Sequence, residues 1–154
     1  MTQLETLAQK LLTIRELSAR YSSRYQLERA IARGCYSRVT RGAYMHRRDW
    51  EELTGEQGYL ARVLALALQN QGIIFSHETA AVLHGLPLAS IPASVHIYSP
   101  YRTRVRDFTV HHGELHLPTD STVFRPGIRA TSLARTLDDM VVEASEPRRT
   151  LVRL

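Results

Sequence analysis

At Gly34 the hydrophobic period of this chain changes from near four residues to two, and few small folds accommodate such a switch. Upstream, Leu4, Leu7, Ala8, Leu11 and Leu12 recur at helical spacing and predict a first helix over 2–12. Thr13 stands three residues before Glu16, a capping box that opens a second helix from Ile14 to about Tyr21. Ser23 stands three before Gln26 and opens a third, Arg24 to Arg33, which Gly34 ends. Downstream, Tyr36, Arg38 and the run Val39 to Met45 alternate around Arg41-Gly42 and read as a short hairpin. Three short helices, the last two separated by a tight serine turn, followed by a basic hairpin, is the order of a winged helix-turn-helix. This unit is placed at residues 1–48.

A polar stretch over 47–55 reads as a linker. Thr54 and Gln57 then cap a helix that is apolar from Tyr59 to Leu68 except at Arg62, so it is expected at the centre of a second domain over 54–154. Strand character appears at Ile73 to Phe75, Val95 to Tyr98, Phe108 to His112 and Val123-Phe124. Between them lies a helix from His77 to His84, with Ser76 at its N-cap. Ser132 opens a last helix whose Leu133, Leu137, Met140 and Val141 share a face. Helices before and after a run of strands indicate an α+β fold.

The 154 residues suffice for one ordinary domain or two very small ones. The longest apolar run, Val63 to Leu68, is far shorter than the roughly 18 residues of a membrane span, and no secretion signal is visible. Cys35, the single cysteine, can form no internal disulfide, so a cytoplasmic protein is expected. Net charge is +5, and its distribution carries the information. Residues 1–50 hold ten basic groups against four acids, whereas the remainder is nearly balanced. That asymmetry is expected when one small module faces a polyanion, with nucleic acid the leading partner.

Within the third helix, Leu27, Ala30 and Ile31 fall on one side and Tyr25, Arg29, Ala32 and Arg33 on the other. The second face is basic and aromatic. Arginine can donate two hydrogen bonds to guanine, so Arg29 and Arg33 are the expected base contacts, with Tyr25 reaching phosphate or a thymine methyl. Arg24 joins this surface, and Glu28 is expected to pair with Arg24 or Arg29. Ser22 and Ser23 are caps first, and backbone N–H groups at the helix start can take a phosphate. Arg38 and Arg41, on the hairpin, are expected against the flanking backbone or a narrow minor groove. Tyr36, Val39 and Tyr44 are assigned to packing.

No catalytic residue is assigned. His77-Glu78 begins a zinc-protease motif, but the second histidine position holds Ala81. His111 and His112, adjacent on a strand, point to opposite faces and cannot easily share an ion, so neither metal nor cofactor is expected. Glu78 suits the start of its helix, and His84 is read as a C-terminal partner of that helix. Asp138-Asp139 reads as a solvated edge, while Arg135 is expected to bind a carboxylate within the fold. Arg102, Arg104 and Arg106 form a basic loop or strand edge suited to a partner contact.

The run Thr13 to Leu17, Leu27 to Gly34 and Tyr36 to Tyr44 resembles the N-terminal winged helix of AbiEi-type antitoxins and related regulators. Ser76 to Pro87, Val95-His96-Ile97 and Gly127 to Asp139 extend the likeness over most of the chain. The resemblance implies a transcriptional autoregulator, partnered with a nucleotidyltransferase-like toxin in a type IV toxin-antitoxin system. Its first domain would bind promoter DNA and its second would provide antitoxicity. Two alternatives stay open: a toxin-binding protein without strong DNA binding, and the regulatory front end of a longer chain carrying a Vsr-like nuclease, since relatives of this type are usually longer.

Overall fold

The computed structural model describes residues 2–101 and 105–145, which form an α+β protein of two compact units, Met1–Gln71 and Gly72–Leu154. In the first, α1 (Gln3–Lys10) is followed by β1 (Leu12–Thr13), α2 (Ile14–Arg20), α3 (Arg24–Ala32), β2 (Tyr36–Thr40), β3 (Ala43–His46), α4 (Arg47–Glu51) and α5 (Gly55–Gln69). The expected capping boxes form at Thr13-Glu16 and Thr54-Gln57, and another forms at Thr2-Glu5, whereas at Ser23-Gln26, also expected as a box, only the serine half is made. Each complete box reciprocally satisfies N–H groups that a helix start would otherwise leave open. The three strands make one antiparallel sheet in the order β1-β3-β2.

The first helix stops at Lys10, short of the expected Leu12, because Leu12 and Thr13 pair as a strand with Tyr44 and Ala43. Leu12 thereby joins Leu17 and Leu27 in a buried cluster, against which Tyr21, Ile31, Tyr36 and Tyr44 pack. The phenols of Tyr21 and Tyr36 share a hydrogen bond of 2.9 Å, so these large rings enter the cluster with their polar ends paired.

Two further expectations are corrected. Residues 47–51 form α4, whose Arg47 is bridged to Glu51 at 2.7 Å, one helical turn away. Helix α5 is buried from Tyr59 to Ala67 apart from Arg62, as its composition requires, but it packs against α1 and β2. It belongs to the first unit, so the division lies at Gln71/Gly72 and not near residue 50.

The second unit contains β4 (Ile74–Phe75), α6 (His77–Leu83), β5 (Val95–Ser99), β6 (Phe108–His112), β7 (Ser121–Arg125), β8 (Ile128–Thr131) and α7 (Leu133–Ser145). The five strands run in the order β6-β5-β4-β8-β7. Strand β4 pairs antiparallel with β5 and parallel with β8, and β5 pairs parallel with β6. Strand β8 was not expected; the turn at Gly127 (φ 84) folds it back on β7. Phe75, Val95, Ile97, Ile128 and Ala130 form the sheet's buried apolar layer with α6. The apolar face of α7 is the exception: Leu133, Leu137 and Val141 are 45–67% exposed and Met140 is half-buried, while Thr136 is buried against Thr131. No helix among the described residues is long and apolar enough to cross a membrane.

Leu17 is fully buried at the centre of the α2–α3 cluster. Its replacement by alanine is expected to cost about 2–5 kcal/mol, read as a lowered urea midpoint with an unchanged denaturant slope. A loss below about 1 kcal/mol would show that the cluster does not hold the two helices.

Candidate nucleic-acid interface

Helix α3 is fixed at both ends by its own sequence. Ser23 accepts from the Gln26 N–H at 3.2 Å and closes the start. At the finish, Gly34 takes φ 79; its N–H bonds the Ile31 carbonyl and the Cys35 N–H bonds the Ala30 carbonyl. This is the paired Schellman arrangement, which needs a residue at ease in the left-handed region. Between these ends Leu27 and Ala30 are buried.

With that side committed to the interior, the opposite side is turned to solvent. Ser22, Ser23, Arg24, Tyr25, Arg29 and Arg33 are all exposed, Tyr25 to 66%. The Arg29 guanidinium lies over the Tyr25 ring, 5.8 Å from its centroid, a cation–π contact that limits where the arginine can swing. Arg24 donates to Glu28 at 2.9 Å, the pairing expected for that acid. Both partners are largely solvated, so the bridge is worth at most about 0.5 kcal/mol, and a phosphate can displace Glu28 at little cost. Arg33 occupies the C-cap position.

The hairpin carries the remaining expected contacts. Arg38 on β2 sits opposite Tyr44 and is exposed, whereas Val39 is buried, so strand alternation divides charge from packing. Arg41 is exposed at the turn, where Gly42 adopts φ 78. Packing of α3 against β2 places the basic helix and the basic hairpin in one unit. Of the three arginines expected at a partner contact, Arg106 is exposed; Arg102 and Arg104 lie outside the described residues.

Sequence reasoning missed a second polar cluster, in the second unit. His77 at the start of α6 stacks on His111 of β6 with ring centroids 3.5 Å apart, and His111 Nε2 meets His96 Nδ1 of β5 at 2.9 Å. Glu78 lies 3.6 Å from the far nitrogen of His96. Beside them, Arg135 donates to Asp139 at 2.9 Å, to Tyr98 and to the Glu114 carbonyl, and approaches Asp120 at 3.4 Å. Asp139 is therefore an internal ion-pair partner, not a solvated edge. Ser76 makes no cap bond and instead pairs with His77 Nδ1, while His84 donates across to the Thr131 carbonyl rather than serving its own helix. The period-two spacing of His96 and Tyr98, matched by register to His111, was the available signal, but only the parallel β5–β6 pairing brings them together.

The cluster is built for neutral imidazole. Stacked rings direct their in-plane lone pairs along parallel planes, and the two nitrogens of His96 serve opposite neighbours, so the three rings do not converge on one ion. Accordingly, no group able to hold a metal is found among the described residues. Burial lowers the basicity of all three; for His77 burial, helped by His111, His96 and Arg135, takes it from 6.5 to about 3. His77 also adopts φ 50, a left-handed backbone uncommon outside glycine, which asparagine, aspartate and histidine tolerate best.

In the unfolded chain these histidines bind protons near their ordinary pH, and in the folded one only at lower pH. Stability is therefore complete above about 6.5 and is lost as pH falls toward 3, with His77 alone costing about 2 kcal/mol by pH 5. His77→Asn, which tolerates the backbone and removes that titration, is expected to flatten the stability profile between pH 6.5 and 5 in urea melts. A profile as steep as that of the parent would contradict the assignment.

No protein-family model and no curated protein matches this chain.

Proposed function

We propose that the chain is a sequence-specific DNA-binding transcriptional regulator whose first unit is a winged helix-turn-helix, with α3 as recognition helix and the β2–β3 hairpin as wing. The observation that carries this reading is the outward face of α3, where Tyr25, Arg29 and Arg33 recur every four residues on a helix anchored by Leu27 and Ala30. The element order α1-β1-α2-α3-β2-β3 and the strand order β1-β3-β2 support it. So does the charge surplus of residues 1–50. In this reading α3 enters the major groove, Arg29 and Arg33 address guanine edges, and Arg38 and Arg41 hold phosphates. Ser22, Ser23 and Arg24 contact the backbone at the start of the helix. Bound protein blocks polymerase.

We further propose, from the resemblance to AbiEi-type antitoxins, that the second unit neutralises a nucleotidyltransferase-like toxin. The specific observation in its favour is α7, which presents Leu133, Leu137 and Val141 outward at four-residue intervals.

Duplex binding should weaken with salt at a logarithmic slope of roughly −3 to −4, as about four arginines release counterions. Arg29→Ala or Arg33→Ala is expected to relax preference among sequences, and Arg41→Ala to weaken every duplex alike. Equal losses on selected and random DNA for all three variants would remove the assignment of base contacts, and binding indifferent to salt would remove the DNA reading. For the second unit, Leu137→Asp with Val141→Asp should abolish toxin neutralisation in cells while leaving duplex affinity within twofold; retained neutralisation would exclude α7 as the docking face.

A further inference from the structure

The turn that carries Arg41 is held from outside the hairpin. The Gly42 carbonyl accepts from the Ile14 N–H at 3.0 Å, tying the turn to the start of α2. The neighbouring Arg41 carbonyl accepts from the side-chain amide of Gln69, the last residue of α5. A methyl group on Gly42 would stand 3.1 Å from that amide nitrogen, so glycine at this position gives Gln69 room to reach the backbone as well as permitting φ 78. Gln69 is itself well based. The preceding residues Tyr59 to Ala67, apart from Arg62, are buried, and Asn70 donates to the Leu66 carbonyl at 2.9 Å, closing the end of the helix.

We infer that Gln69 is a positioning residue for the wing: its amide fixes the Arg41 backbone so that the guanidinium meets a phosphate without first having to order the turn. The inference rests on the DNA-binding reading and deepens it. An arginine on a loose turn pays backbone entropy when it binds, whereas one on a turn pinned at two successive carbonyls does not. It also gives α5 a role in the first unit that its own apolar surface does not suggest. Gln69 carries no charge and need touch no DNA, so its contribution must pass through Arg41. That makes it separable from a direct contact.

The test uses the full chain with Gln69→Leu, Arg41→Ala and the double variant, titrated with a labelled random-sequence duplex across a salt series. Gln69→Leu keeps the length but cannot donate. It is expected to weaken binding about two- to tenfold. Its salt slope should match the parent's, because Arg41 still reaches its phosphate in the complex and only the cost of ordering the turn has been added. In the Arg41→Ala background the same change should add less than twofold. Losses that multiply in the double variant, or a Gln69→Leu slope as shallow as that of Arg41→Ala, would overturn the inference. Amide exchange at Arg41 and Gly42, measured on the same samples, separates the two layers. If the parent chain binds no duplex at any salt, the DNA reading falls; faster exchange in Gln69→Leu then still upholds the brace, and unchanged exchange overturns it.

Discussion

The burial of Leu27 and Ala30 beneath α3 governs what the first unit can present to a partner. A helix of nine residues has little stability of its own, so tertiary contact on one side decides both that it forms and how it is rotated. Once Leu27 is committed against Leu12 and Leu17 and Ala30 is buried, rotation by 100° per residue leaves Tyr25, Arg29 and Arg33 no direction but outward. The serine cap and the Gly34 turn keep that rotation from slipping at either end. A basic surface of this kind costs the fold little, because solvated guanidinium groups are screened and make few obligate contacts. Its chemistry is therefore free to answer to a ligand.

Much of this was legible because its causes are local. Three residues separate each cap from its partner, so Thr13-Glu16, Ser23-Gln26 and Thr54-Gln57 mark helix starts without knowledge of the rest of the chain. The Arg41-Gly42 turn is legible for the same reason: strand alternation on both sides and a glycine where φ is positive. All eight residues assigned to DNA contact are exposed, which follows from the periodicity of one helix and one hairpin.

What was not legible depends on residues far apart in sequence. Leu12 continues the helical spacing of α1, yet it becomes a strand because Tyr44 offers it a hydrogen-bonding edge 32 positions away. Composition correctly says that α5 is buried, but an apolar surface does not name the surface that covers it, and α1 and β2 cover this one. The stripe on α7 shows the same limit: shared apolar spacing describes a face, and only the packing of α6 and the sheet decides whether that face turns inward. The histidine stack has only a partial local signature, the period-two spacing of His96 and Tyr98. It arises from strand register, which sets Tyr98 opposite His111 and thereby brings His96 and His77 to it.

The two units use nitrogen bases in opposite ways, and burial is the reason. The guanidinium groups of the α3 surface and the hairpin stand exposed to solvent, with most of their donors uncommitted. Buried histidine sheds its charge, and the His77, His96 and His111 cluster holds α6 to the sheet as a neutral stack. The ionised network beside it is anchored differently: Arg135 is buried enough to lose much of its hydration and recovers it from Asp139, Tyr98 and the Glu114 carbonyl. An arginine so fully engaged has little left to offer a polyanion, whereas Arg24, whose single acidic partner is solvated, has almost everything to offer. The charge surplus of the first fifty residues is thus matched by a difference in availability, and availability is what separates a binding surface from a structural ion pair.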